Sequence, residues 1–288
     1  MVYDSIIIGK GPAGIQAALY IKRANLNVMV IAKDGGALEK AEKIENFYGQ
    51  EEPITGKKLV EKGEHQLNRL GITLLNDEVV GIQYNSDQTF TIKTTINTYI
   101  TKTIVIATGA NRKTPNIEGI EEFEGRGISY CAICDGFFFK DKQVVVLGNG
   151  DYAIEEAKIL NQTASKVIIL TNGKKVELKK FDGMEYITKE ISKIEGNSKV
   201  ERIVFKDSSV INVSGMFVAE GVATSIDFAR KLGAETTENR LVVDSETMQT
   251  TIPRMFAAGD CTGELYQISK ALYEGMKAGL SVIKSLKV

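Results

Sequence analysis

The chain is short of the residues that hold metals. Among 288 residues there are three cysteines and a single histidine, His65. Cys131 and Cys134 stand together in one CxxC; a zinc site there needs two further ligands. The remaining candidates, Cys261 and His65, are far away in sequence, which disfavours a metal. Excess charge is missing too. Lys and Arg number 36 against 37 Asp and Glu, with a pI near 6.1, which removes the electrostatic case for a nucleic-acid partner. No apolar run reaches the roughly 18 residues of a membrane span. No low-complexity tract or tandem array interrupts the chain. The opening "MVYDSIIIGKG" reads as a strand, not a signal peptide: it lacks a basic start and a small-residue cleavage site. The expected location is the cytoplasm. In that reducing compartment a CxxC points to catalysis or metal rather than to structure.

What is present is enough sequence for two domains and two βαβ patterns. In "YDSIIIGKGPAGIQAALYIKRANLNVMVIA" a strand (Ser5–Ile8), a glycine turn, a helix (Pro12–Ala24) and a strand (Val28–Ile31) follow one another. Gly9, Gly11 and Gly14 have the GxGxxG spacing. The first allows a tight turn, the second lets the backbone approach a pyrophosphate, and the third lets helix and strand pack closely. The helix N-terminus then offers unpaired N–H groups and partial positive charge to the phosphates. The strand–turn–helix context makes this a dinucleotide site rather than a chance glycine turn.

A second unit begins at "KQVVVLGNGDYAIEEAKILNQTASKVIILTNG": strand Val144–Leu147, Gly148, Gly150 and Ala153, a helix to about Leu160, and strand Val167–Leu170. Its plain alternative is a structural βαβ with nothing bound. Between the two units, alternation and Asn/Asp/Gly turns in "ITLLNDEVVGIQYNSDQTFTIKTTINTYITKTIVIATGA" predict a β-meander ending in an apolar strand, Ile104–Ala107, followed by Thr108 and Gly109. Near the end, "IPRMFAAGDCTG" gives a short strand before Gly259 and Asp260, and "LYQISKALYEGMKAGLSVIKSLK" has helical periodicity.

The segment "CAICDG" admits three readings: a redox pair, half of a metal site, or two buried thiols. A helix start lowers a thiol pKa, and thiolate is the species that attacks a disulfide. Asp135, next to Cys134, suits a general acid or a helix-start carboxylate that merely favours the dipole. Cys261 reads as a small buried residue.

In order along the chain, "GKGPAG", "GGAL", "IENFYG", "ATGA", "GRGISYCAICDGFF", "GNGDYAIEEA" and "FAAGDCTG" resemble the low-molecular-weight thioredoxin reductases, two-domain flavoprotein disulfide reductases. The resemblance implies an α/β fold of two Rossmann-like three-layer domains. A discontinuous FAD domain (about residues 1–112 and 222–288) would carry an inserted smaller domain (113–221) that bears the CxxC. It implies that Gly9, Gly11, Pro12, Ala13 and Gly14 hold the FAD pyrophosphate. Gly36, Ala37 and Leu38 would line the adenosine and flavin side, with contacts from Asn46, Val79, Ala107, Thr108 and Gly109. Gly259 and Asp260 would meet the ribityl chain, and Gln267 and Ile268 would close on the isoalloxazine. The second strand ends "VIAKDGG", with no acid at its tip for a ribose; Asp34 is a poor substitute. The family assigns Cys134 to receive electrons from the flavin, Cys131 to attack thioredoxin, and Asp135 to protonate the leaving thiolate. A homodimer through the FAD domains is part of the same implication.

The electron donor is where the sequence departs from the family. NADPH-dependent members carry a histidine and paired arginines after the second strand of the second unit, for the 2′-phosphate. Here "VIILTNGKK" has no arginine, and no acid for an NADH ribose. Tyr152 stands where Ser or Thr is usual, and the stretch from Thr171 to Phe205 is short. The resemblance then shifts to the ferredoxin-dependent flavin thioredoxin reductases of clostridia. A ferredoxin delivers single electrons while a disulfide needs two, and a flavin bridges that mismatch. Lys270, Lys277 and Lys284, seven apart, with Lys287, read first as an ordinary solvated helix face and secondly as a candidate basic face for an acidic ferredoxin. Two alternatives stay open: an NADPH enzyme clamping its nucleotide with Lys174 and Lys175, and a flavoprotein redox sensor that does not turn over.

Overall fold

The computed structural model describes residues 1–109, 115–130, 132–175, 183–220, 225–237, 240–263 and 265–287, without the side chains of Lys40, Ile133, Cys134, Ser225 and Ile226. The chain divides into two compact units, 1–111 with 224–288, and 112–223. The first chain segment of unit one contains β1 (Val2–Ile8), α1 (Pro12–Arg23), β2 (Val28–Ala32), α2 (Gly56–Arg69), β3 (Thr73–Asn76), β4 (Val79–Tyr84), β5 (Phe90–Thr94) and β6 (Thr98–Ile106). Unit two contributes β7 (Ile128–Ser129), α3 (Ala132–Asp135), β8 (Gln143–Leu147), α4 (Asp151–Leu160), β9 (Lys166–Leu170), β10 (Glu185–Ile187), β11 (Ile191–Gly196), β12 (Val200–Phe205), β13 (Val210–Asn212) and β14 (Gly215–Val218). The chain returns to unit one with α5 (Ser225–Leu232), β15 (Thr236–Thr237), β16 (Arg240–Leu241), β17 (Met255–Ala257) and α6 (Ile268–Leu286).

Unit one is a sheet of order β3-β2-β1-β6-β5-β4, with β17 paired to β6. β1, β2, β3, β6 and β17 run parallel, and β4–β5–β6 form the antiparallel meander. Of the parallel strands, β1, β6 and β17 are buried over much of their length and β2 over all of it, while β3 at the sheet edge is only partly covered. Continuous Val/Ile runs buried on both faces are what a parallel sheet demands. Ile7, Val30, Val105 and Phe256 pack with Ala13, Ala17 and Ile21 of α1 and Ala271 and Ala278 of α6. The two helices approach closely because Gly275 faces α1; a Cβ there would lie 2.2 Å from the Ala13 carbonyl oxygen. α2 starts at Thr55, whose Oγ1 accepts the Lys58 N–H at 3.2 Å.

Unit two has a parallel sheet of order β10-β9-β8-β14-β7 and a separate antiparallel ribbon β11-β12-β13. Its core joins Val145, Leu147, Ile168 and Leu170 to Ile194, Val200 and Ile203. Among the described residues no helix is long and apolar enough to cross a membrane.

Candidate functional site

In unit one the carboxyl ends of β1, β6 and β17 meet the start of α1. Gly9 has φ 112°, and a Cβ on it would lie 2.2 Å from the Ala107 carbonyl oxygen. Gly14 sits under the turn; its Cβ would be 2.0 Å from the Gly9 oxygen. Gly11 caps α1, and a Cβ on it would meet nothing within 4 Å, so the space before the helix is open. No side chain caps α1, and its first turn holds no acid. Its orphan N–H groups are therefore left for an anion. Beside them Thr108 Oγ1 is buried with no hydrogen-bond partner among the described residues. Open backbone donors and one orphaned hydroxyl fit a pyrophosphate-bearing cofactor.

Pro12 fills the first helical position, where its missing N–H costs nothing. Lys10, within the glycine turn, is not a phosphate cation: its ammonium ion-pairs with Glu64 at 2.7 Å and reaches Asn76 Oδ1 at 3.3 Å. Gly36, with φ 68°, Ala37 and Leu38 lie in the turn after β2, which Asp34 ties by accepting the Gly36 N–H at 2.9 Å. Asn46 Nδ2 donates to Gln267 Oε1 at 3.1 Å, which joins the 44–54 loop to the residue preceding Ile268 and α6. Val79 is buried at the start of β4. Gly109 follows Thr108 with φ 79°. Gly259 precedes Asp260, whose carboxyl is pushed up by burial; Lys270 pulls it down and Glu274 pushes it further up.

Acids do stand at the tip of β2, although its own sequence has none. Asp77 N–H donates to Ala32 O at 3.2 Å, and buried Glu78 pairs with Lys33 at 2.6 Å. They arrive from the β3–β4 turn, which no local pattern around β2 could have indicated.

In unit two Cys131 lies outside the described residues, as does the side chain of Cys134. Two of the described residues next to them are anchored. Asp135 Oδ2 accepts from Ser129 Oγ at 2.6 Å. Ala132 N–H donates to Glu156 Oε2 at 2.8 Å, and Glu156 is buried in α4. Sequence reasoning assigned neither Ser129 nor Glu156. A signal for Glu156 existed: it lies on the apolar face of α4 with Ala153, Ala157 and Leu160, where an acid needs a buried partner.

The second nucleotide-like turn differs from the first. Its helix, α4, begins with Asp151, a carboxylate where a phosphate would go. Tyr152 is 1% exposed, packed inside rather than lining a cleft. Lys174, just past β9, ion-pairs with Glu220, just past β14. Because β8 lies between β9 and β14, this pair spans the end of β8 and its Gly148 turn.

The expected lysine face of α6 is corrected by the structure. Lys270 is turned inward, its side chain 11% exposed and its ammonium bound to Gly259 O, Thr262 Oγ1, Gly263 O and Glu274. Lys277 bonds Ser245 O and lies 5.2 Å from the Tyr273 ring centroid. Seven-residue spacing put these lysines on one side of the helix, but that side faces the protein at its first half; Lys284 and Lys287 are exposed.

A family model for pyridine nucleotide-disulphide oxidoreductases matches residues 3–275. The thioredoxin reductase of Aquifex aeolicus is 36% identical, over 99% of this chain and 94% of that protein. The chain belongs to the low-molecular-weight thioredoxin reductases. Two solved structures are informative. The atypical thioredoxin reductase TRi from Desulfovibrio vulgaris Hildenborough superimposes with TM-score 0.94 at 36% identity, covering 99% of this chain and 98% of that one. A ferredoxin-flavin thioredoxin reductase from Clostridium acetobutylicum gives 0.73 at 31%, with the same coverage. Thioredoxin reductases are FAD-dependent flavoproteins, and FAD is the cofactor of this one. The reaction is reduction of thioredoxin disulfide.

Proposed function

We propose that this thioredoxin reductase draws its electrons from a reduced ferredoxin rather than from NADPH. The observation that carries the reading is the Lys174–Glu220 pair across the end of β8. The lysine best placed to meet a 2′-phosphate already has an acid, and Asp151 adds a second negative charge at the start of α4. An exposed pair of this kind is worth no more than about 1 kcal/mol, so it is not a lock. Its weight is electrostatic: a dinucleotide phosphate would meet two carboxylates, a lysine shared with Glu220 and the exposed Lys175, without the bidentate fork of arginine. Kinship with a ferredoxin-flavin thioredoxin reductase supports the same donor.

In this reading FAD is held by the Gly9–Gly14 turn, Gly36–Leu38, Asn46, Val79, Ala107–Gly109, Gly259–Asp260 and Gln267–Ile268. Bound there, FAD supplies the electron pair that opens the Cys131–Cys134 disulfide. The residues of the chain do the rest. The Cys131 thiolate attacks one sulfur of the thioredoxin disulfide, and the other sulfur leaves as a thiolate. Asp135 supplies its proton, held in place by Ser129 Oγ at 2.6 Å. Cys134 then attacks Cys131, which releases reduced thioredoxin and restores the disulfide. Phe137 and Phe138, 75% and 68% exposed directly after this turn, are the apolar contact for thioredoxin. The enzyme works in the cytoplasm as a homodimer through unit one, whose α6 leaves Tyr273 and Leu280 exposed seven residues apart.

The test is anaerobic mixing of the yellow holoprotein with NADPH, NADH and reduced ferredoxin. Ferredoxin alone should bleach the flavin and sustain thioredoxin reduction. Prompt bleaching by NADPH would return the enzyme to a nicotinamide donor with a Lys174/Lys175 clamp. Bleaching without turnover of thioredoxin would make it a redox sensor.

A further inference from the structure

The loop Gly259–Gly263 carries Asp260 and has a left-handed glycine at each end, φ 89° and 84°. A glycine at each end raises the entropy cost of ordering the loop. Two charged side chains from the first turns of α6 bind it, and neither is more than 12% exposed. Lys270 Nζ lies 2.9 Å from Gly259 O, 2.7 Å from Thr262 Oγ1, 2.8 Å from Gly263 O and 3.0 Å from Glu274 Oε2. Glu274 Oε2 accepts the Gly259 N–H at 2.8 Å and lies 2.9 Å from Thr262 Oγ1. An ammonium has three hydrogens, so four acceptors use all of them. Both ions are paired and bonded, the condition for burying them.

Packing alone does not explain the pair, because apolar residues of similar volume commonly replace buried ion pairs without loss of stability. What the pair does, and apolar residues cannot, is grip the backbone: both ends of the loop are bonded to one turn of α6. That turn lies directly after Gln267 and Ile268. The loop also touches α1, since a Cβ on Gly259 would lie 3.0 Å from the Ala13 Cβ. One clasp therefore sets three parts of the FAD cradle: Asp260, the start of α6 and the glycine turn.

We propose that Lys270 and Glu274 are positioning residues for FAD, a buried clasp that pre-forms the Gly259–Gly263 loop so that the apoprotein binds the cofactor without reordering it. The inference rests on the assignment of that loop to the FAD site. Pre-formation is what lowers the ordering cost of binding.

The experiment compares K270M, E274Q and the doubly apolar K270M/E274M with wild type, with V282A as a control. Val282 is fully buried farther along α6, so V282A lowers global stability without touching the clasp. Each apoprotein is titrated with FAD, and hydrogen exchange of the Gly259 and Thr262 amides is followed without FAD. The clasp predicts a Kd for FAD raised at least tenfold, and exchange at Gly259 accelerated at least tenfold, in all three clasp variants. The double variant loses no charge balance and serves if the single variants fold poorly. V282A should lower Tm and leave both readouts within twofold. Wild-type Kd and exchange in K270M/E274M, while D260A weakens FAD binding, overturns the clasp and spares the loop assignment. An unchanged Kd in D260A as well removes the loop assignment and the inference with it.

Discussion

Three cysteines and one proposed redox pair make thiol counting a sharp test. Cys261 is fully buried, with its Sγ 3.4 Å from the carbonyl oxygens of Ile106 and Ala258. Burial pushes its thiol up to about 12, against the small opposing effect of the Ala258 contact. At pH 8 roughly one Cys261 in ten thousand is thiolate, whereas an ordinary thiol near 8.5 is about one-quarter ionised. Ionisation alone slows Cys261 about 2,500-fold. The more basic thiolate is a better nucleophile, and a Brønsted slope of about 0.4–0.5 over these 3.5 units recovers about 25- to 50-fold. The remaining deficit is about 50- to 100-fold before access is considered, and a sulfur with no exposed surface reacts only through opening of the fold. The assay is iodoacetamide labelling of the reduced holoprotein at pH 8, read by intact mass. Two alkyl groups should add quickly and the third only after denaturation. Native labelling of all three thiols at one rate would refute the burial argument and reopen Cys261 as a redox partner.

Removing both exposed rings, F137A/F138A, should raise the KM for thioredoxin at least tenfold with FAD content unchanged. Burying two phenylalanines at an interface contributes more than the roughly 1.4 kcal/mol that tenfold requires; a KM within twofold of wild type would show that thioredoxin docks elsewhere. Acid stability tests Asp77. Burial raises the Asp77 carboxyl, but hydrogen bonds from Thr94, Thr95 and the Glu78 and Ile96 amides outweigh it and hold the pKa below the usual value. A depressed folded pKa contributes stability above the unfolded pKa, near 3.9, that is lost as pH falls through the folded one. D77N should therefore cost about 1–2 kcal/mol at pH 7. In denaturant melts that difference should shrink steadily below pH 4, and a pH-independent difference would contradict the assignment.

Much of this was legible along the chain because it is local. Gly9, Gly11 and Gly14 with apolar runs before and after them specify β1, α1 and β2 within a residue or two, except that β1 begins at Val2 rather than Ser5. The meander could be read from alternation, and β8–α4–β9 from a repeat of the first pattern. The short strands of unit two carry no such period. The pairings that hold the site residues were illegible for a different reason: no local period says which residue meets which. Ser129 and Asp135 are six residues apart across a strand end, Ala132 and Glu156 are 24 apart, and Asn46 and Gln267 are 221 apart. Lys270 shows the limit of helical periodicity. Spacing shows which residues share a face; only packing shows whether that face meets water or a loop.

The second Rossmann-like unit is structurally committed even if it holds no nucleotide. The segment that follows Cys131 is fastened to it at separate places. Ala132 N–H is held by Glu156 of α4, and a Cβ on Gly136 would lie 3.2 Å from Leu160 Cδ2 at the far end of the same helix. Phe139 packs edge-on against Phe217 of β14, with ring centroids 5.3 Å apart. It also fills the space beside Gly215, where a Cβ would be 2.3 Å from its ring. Thus α4 and β14, which in a nucleotide-binding unit frame the ligand crevice, here carry contacts to the segment 132–139. Under the proposed ferredoxin donor, loss of nucleotide affinity at Asp151, Tyr152 and Lys174 would leave those contacts intact, because they come from the middle and far end of α4 and from β14. The unit can therefore give up a nucleotide and still be required, as the platform that presents Phe137 and Phe138 to solvent beside the cysteines.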